Sequence, residues 1–291
     1  MAFRTVVINT HSKLEYSLSY LVFRTPETTK KIHLDEVHTL IVESDAVSLT
    51  TSLLIELSKR KIKVIFCDEK HNPSAELMPC YGNGNSSKRI KEQMAWKEDV
   101  SAGVWQQIIQ RKIQNQATYL SKRGSQEAAA MLFGFAKEVA PGDPTNREGH
   151  AAKVYFNRAF FEGFTREADC FLNACLNYGY TLLLSEFNRA IVAAGYLTQL
   201  GIHHKNEFND FNLSCDFVEP FRFLVDEKAA SLKEGDDFKA AMKGLLGEDV
   251  VQLGKTQTVA NAINIYVSSL FTAIETGDLG KIAFLDYELG R

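Results

Sequence analysis

Apolar residues in the first eighty positions come in short runs: RTVVIN (4–9), KLEYSL (13–18), YLVFRT (20–25), KKIHL (30–34), HTLIVES (38–44) and KVIFCD (63–68). Several alternate with polar residues at a period of two, the signature of half-buried strands, so the pattern predicts a small β domain over 1–80. One stretch breaks it. In SLTTSLLIELSKRK (48–61), Leu49, Leu53, Leu54 and Leu57 recur at helical spacing behind Ser48, a suitable N-cap, which predicts one helix covering a face of the strands. After Pro79 the chain turns to glycine, asparagine and serine, a composition with little to bury, and 81–89 reads as a linker. From Ile90 the period is helical almost throughout, broken at Gly124 and at APGDPTNREGH (140–150), LGIHHKNEFNDFN (200–212) and KEGDD (233–237). The expectation is an α+β chain, with the β domain joined to a larger all-α domain of about five to eight helices over 90–291.

Composition adds boundaries to this picture. A chain of 291 residues with 45% hydrophobic and 24% charged residues is long enough for two domains and ordinary for a globular protein. Its net charge of −3 argues against a protein that coats nucleic acid indiscriminately. Local basic clusters remain, at SSKRIK (86–91), QRK (110–112) and SKR (121–123), and are candidates for a phosphate-facing path. The five cysteines form no C-x-x-C pair and are odd in number, which suggests neither a disulfide framework nor a zinc ribbon and fits a cytoplasmic location. No apolar run approaches the roughly 20 residues that cross a bilayer, so no membrane role is expected.

Two stretches carry candidate chemistry. In TNREGHAAKVYFNRAFF (145–161), Pro141, Gly142 and Pro144 end any earlier helix, and Thr145 or Asn146 can cap a new one. Glu148 then falls in the first turn, where it can close a capping box with Thr145 or serve as a ligand. Ala151, Tyr155 and Ala159 share one face of that helix. In the second stretch, 195–227, His203 and His204 precede Asp210, Asp216 and Glu219. Asp216 and Glu219 are three apart, one helix face, and would repel each other unless a cation or donor lies between them. Pro220 should bend the backbone beside them by displacing the Asp216 carbonyl. One imidazole with carboxylates suits Mg2+ or Mn2+ better than zinc, and Cys215 reads as core. Neither a serine-hydrolase elbow nor a P-loop is present.

The segments REGHAAKVYF (147–156), ADCFLNACLNYGYTLLLSEFNRAIVAAGYLTQLGIHH (168–204) and NLSCDFVEPFRFLVD (212–226) together resemble a known family. It is the CRISPR-associated integrase of spacer acquisition, the first-numbered protein of the adaptation module, in the form found in type II-A systems. The resemblance extends over the N-terminal β region and so over nearly the whole chain. It implies a divalent-metal-dependent DNA integrase and endonuclease that joins 3′-hydroxyl ends of captured double-stranded DNA to CRISPR repeat boundaries. It implies Glu148, His204 and Glu219 as ligands of Mg2+ or Mn2+, with Asp216 a neighbouring acid counted among the catalytic positions. His203 directly precedes the motif histidine, His204, and could exchange with it, and the last acid, aspartate in some relatives, is Glu219 here. Tyr155 and Asn177 match supporting positions. The implied partners are a second copy docked through the β domain, a second small adaptation protein, other type II-A adaptation proteins and a Cas9-type effector. The competing readings are a stand-alone metal-dependent nuclease and a non-catalytic DNA-end scaffold.

Overall fold

The computed structural model describes residues 4–80, 84–161 and 163–287. The chain divides into two compact units, Met1–Gly84 and Asn85–Arg291.

Unit one holds two four-stranded sheets. In the first, β1 (Arg4–Ile8), β5 (Val37–Val42) and β7 (Lys63–Cys67) run parallel, and β8 (Pro73–Glu76) closes antiparallel on β7. In the second, β2 (Ser12–Ser17), β3 (Tyr20–Arg24) and β4 (Thr29–His33) form a meander, and β6 (Val47–Leu49) pairs parallel to β2. Parallel neighbours need a crossover, and helix α1 (Thr51–Lys59) supplies the one from β5 to β7. Its Leu53 and Leu57 are fully buried against Leu14, Leu40 and Val64, each contributing about 1.5–3 kcal/mol of apolar burial. The predicted covering helix is therefore present. Its cap is Thr50, which accepts from the Leu53 amide, while Ser48 lies within β6.

Unit two is mainly helical. Residues 81–83 of the expected linker lie outside the described residues, and its last four, Ser86 to Arg89, open α2 (Ser86–Met94). Lys88 and Arg89 pair with Glu92 one turn on, which turns an apparent linker composition into a helix. Then come α3 (Glu98–Lys122), α4 (Gln126–Glu138), α5 (Arg147–Ala159) and α6 (Phe171–Ala194), which ends at Gly195 in the left-handed region. Next is α7 (Asn212–Val218), a 3-10 turn over Glu219–Phe221 and α8 (Arg222–Ser231). The break that Pro220 predicts is this turn. After α9 (Phe238–Gly244) comes a hairpin of β9 (Asp249–Gln252) and β10 (Lys255–Thr258), then α10 (Val259–Thr276). The hairpin corrects the all-helical expectation: Leu253 and Gly254 both take positive φ, the geometry of a tight two-residue β-turn. Nine α-helices among the described residues of this unit exceed the expected five to eight, because short pieces flank the Pro220 turn.

Helix α3 is the spine. Trp105, Ile108, Ile109, Ile113, Ala117 and Leu120 are buried along it, and α4, α5, the 219–221 turn and α8 pack on it. Ala151, Tyr155 and Ala159 of α5 are fully buried, as their shared face predicts. Among the described residues no helix is long and apolar enough to cross a membrane.

Candidate active site

Glu148 reaches its position because two short side chains begin α5. Asn146, itself left-handed at φ 49°, accepts from the Gly149 amide. The Asp143 carboxylate accepts from the amides of Arg147 and Glu148 at 2.9 and 3.0 Å. The capping box with Thr145 is therefore replaced, since Asn146 is the cap and Asp143 takes the first amides, and the Glu148 side chain turns elsewhere. It meets Lys112 of α3, whose ammonium donates to Glu148 Oε1 at 2.5 Å and lies 2.5 Å from Glu219 Oε2. Glu219 comes from the 3-10 turn, which Asn115 of α3 fastens by donating to the Pro220 carbonyl at 2.8 Å. Arg222, one turn on, donates from Nε to Glu219 Oε1 at 2.9 Å.

The charges decide the protonation states. Burial works against the Glu219 carboxylate, but Arg222 and Lys112 more than offset it and hold its pKa down to about 2. Burial likewise works against the Lys112 ammonium, and the Glu219 and Glu148 carboxylates overcome it, raising the pKa above an ordinary lysine's. Both groups are charged at neutral pH.

Asp216 serves a different purpose from Glu219, though the two are three residues apart. Fully buried in α7, it accepts the amides of Ile202 and His203 on Oδ2 and the His204 amide on Oδ1. His204 Nδ1–H donates to Oδ1 at 2.5 Å. The spacing predicted two acids on one helix face, but α7 ends between them, and each carboxylate has its own donors. Asp216 thus anchors the histidine loop. Its hydrogen bond to His204 raises that imidazole's pKa against the opposing effect of burial. His203 instead lies flat on Trp105, ring centroids 4.2 Å apart and 6° from parallel, and partial burial lowers its pKa. The adjacent histidines are therefore distinguished by partner. Asp210, the third candidate acid, is exposed, and its backbone carbonyl takes the Thr198 hydroxyl.

The sequence model for CRISPR associated protein Cas1 matches residues 5–243, a span that contains every residue just described. The chain belongs to the Cas1 family. The CRISPR-associated endonuclease Cas1 of Neisseria meningitidis serogroup C (strain 8013) is 33% identical over 242 residues, 83% of this chain and 80% of that protein. Two solved structures share the fold. A casposase bound to integration product aligns with a TM-score of 0.76 at 19% identity, over 99% of this chain and 95% of that one. A chain of a Cas6-RT-Cas1–Cas2 complex aligns at 0.77 and 20% identity over 99% of this chain, which spans 36% of that longer chain.

In this Cas1 family chain no three His, Cys, Asp or Glu side chains among the described residues are arranged to hold a metal ion as they stand. The place between the two glutamates is taken by the Lys112 ammonium. Even so, the donors suit a hard divalent cation: Glu219 Oε2 is a buried carboxylate oxygen whose partner is the Lys112 cation. His204 feels the charges of both Glu219 and Glu148, so the three belong to one electrostatic neighbourhood. Of the two residues that the sequence resemblance singled out as supporting, Tyr155 donates to Asp226 at 2.8 Å and Asn177 accepts from Arg166 at 2.6 Å. A cavity of about 650 Å³ between the start of α4 and the outer side of α5, lined by Ser125, Met131, Lys153 and Arg158, includes none of the site acids or histidines.

Lys112, Trp105 and Asp143 were not legible as site residues. Lys112 sat in a basic cluster expected to face phosphate, and its burial corrects that expectation. The available signal was its position seven residues after Trp105, on the same stripe of a helix otherwise apolar there.

Proposed function

We propose that this chain joins the 3′-hydroxyl ends of double-stranded DNA fragments to CRISPR repeat boundaries by transesterification, with DNA cleavage as the hydrolytic counterpart. The observation that carries the reading is the convergence of Glu148 and Glu219, from separate elements, on one cation position, beside an imidazole held by Asp216. Glu148, His204 and Glu219 would hold Mg2+ or Mn2+. When bound, such an ion lowers the pKa of the attacking hydroxyl, polarises the phosphate and stabilises the departing oxyanion.

The protein's own groups arrange the ligands. Asp216 accepts the hydrogen bond from His204 Nδ1–H and so leaves the Nε2 lone pair as the ring's ligand atom, the usual second carboxylate behind a metal-binding histidine. Arg222 occupies Glu219 Oε1 and so leaves Oε2 toward the site. The names of the similar proteins, an endonuclease and a casposase on its integration product, agree with this chemistry. The complex in which Cas1 stands with Cas2 supports a second adaptation protein as partner.

The test joins labelled DNA ends to a supercoiled repeat plasmid with Mn2+ and the second adaptation protein. Wild type should join. Glu148→Gln, His204→Ala and Glu219→Gln should each lose about a hundredfold or more in rate, while His203→Ala should lose far less. Cutting without joining would favour the stand-alone nuclease, and DNA binding with no chemistry the scaffold. Full activity in any one of the three variants removes that residue from the ligand set.

A further inference from the structure

Lys112 is a lysine in the middle of a buried helix with only 13% of its side chain exposed. Its ammonium lies 2.5 Å from an oxygen of each of two glutamates brought by different elements. A lysine so placed is rare unless paired, and removing one partner from a buried pair is costly. Two ionised carboxylates this close to one point would themselves repel without a positive charge between them. The arrangement has the form of an ion site with an ammonium in the ion's place.

Two further features fit replacement rather than permanent occupancy. The carboxylate oxygens that Lys112 meets, Glu148 Oε1 and Glu219 Oε2, come from two separate elements and face one cation, so another cation can take the same place. The lysine charge also rides on a flexible four-carbon stem, which can withdraw without moving α3.

We infer that Lys112 is a built-in surrogate cation that keeps Glu148 and Glu219 gathered in the absence of a divalent ion and competes with that ion for the same place. The inference rests on the ligand reading of the two glutamates given above. It makes Lys112 a positioning residue. With the ammonium seated between the carboxylates, only the fraction of molecules in which it has withdrawn can accept an ion, and the apparent affinity falls by that fraction.

Mn2+ titration calorimetry on the full chain, comparing wild type, Lys112→Met and Glu148→Gln, tests this. Lys112→Met should bind Mn2+ about tenfold or more tighter than wild type, because the competitor is gone. A residue that merely supported the fold would shift binding in the opposite direction. A second measurement needs no variant: amine acetylation of wild type, read by mass spectrometry, should find Lys112 shielded without Mn2+ and more heavily labelled with it. Lys112→Met binding no tighter than wild type overturns the inference, as does labelling of wild-type Lys112 unchanged by Mn2+. In those cases loss of Mn2+ binding by Glu148→Gln keeps the ligand reading standing. No Mn2+ binding by wild type or Lys112→Met overturns both.

Discussion

Gly201 illustrates how a single residue governs the histidine loop. A Cβ at this position would stand 2.7 Å from Asp216 Oδ2 and 3.1 Å from Asn212 Cβ, and would also collide with the His204 carbonyl. The backbone must come this close for one carboxylate to collect the amides of Ile202, His203 and His204. Gly201→Ala should therefore cost about 1–3 kcal/mol by overpacking. It should also reduce joining by about a hundredfold through displacement of His204. Thermal melts and the plasmid assay check the two separately, and a fully active alanine variant would mean the loop tolerates the shift. At this scale the sequence displayed the glycine, the histidines and the acids at their spacing, because those positions lie close together in the chain. Lys112 stayed hidden since its meaning depends on Glu148, 36 residues away, and on Glu219, farther still.

Helix α5 carries Glu148 at its start, and the question at the scale of elements is what keeps it in line with the turn that carries Glu219. Tyr155, seven residues after Glu148 and so on the same side of the helix, donates to Asp226 Oδ2 at 2.8 Å. Tyr180 of α6 donates to the other oxygen. Asp226 thus ties α5 and α6 to α8, which follows Glu219 directly. Burial pushes the Asp226 pKa up to about 6, against the lowering effect of the two tyrosine hydroxyls. The folded pKa lies above the unfolded one, so the native state binds the extra proton between about pH 4 and 6, and stability from this group falls as pH rises through that window. A shift of about two units is of order 3 kcal/mol. Asp226→Asn carries no such ionisation. Measured by urea denaturation, its stability relative to wild type should improve by about that amount from pH 4 to pH 7. A difference that stays constant over this range would mean that Asp226 is not held at a raised pKa. Elements with a long regular period, α3 and α6 and the strands of unit one, were readable from the sequence. The β9–β10 hairpin was not, because four-residue strands inside a helical stretch offer too little period, and the positive φ at Leu253 is unusual for its residue type.

For the whole molecule, the decisive quantity is charge that remains free to meet DNA. The chain carries −3 overall, and of the basic residues in the clusters that suggested a phosphate path, Arg89, Arg111 and Lys112 are partly buried while Lys88, Lys91, Lys122 and Arg123 are exposed. Arg89 pairs with Glu92 and Glu275, Lys112 is held by two glutamates, and Arg111 is partly buried over the Phe284 ring. Lys122 lies over Tyr287 and Arg123 over Tyr119. Each phosphate that a protein neutralises on duplex DNA contributes about −0.9 to the slope of log K against log salt. The chain alone should therefore bind duplex DNA weakly, with a slope no steeper than about −4, corresponding to four or five phosphates. Under the proposed function the remaining contacts come from a second copy and from the second adaptation protein, whose addition should steepen the slope as more phosphates are covered. Fluorescence anisotropy across a series of salt concentrations, with and without that partner, measures both slopes. A steep slope from the chain alone would show that its basic side chains leave their internal partners when DNA arrives. A slope unchanged by the partner would mean that the DNA path lies on this chain alone.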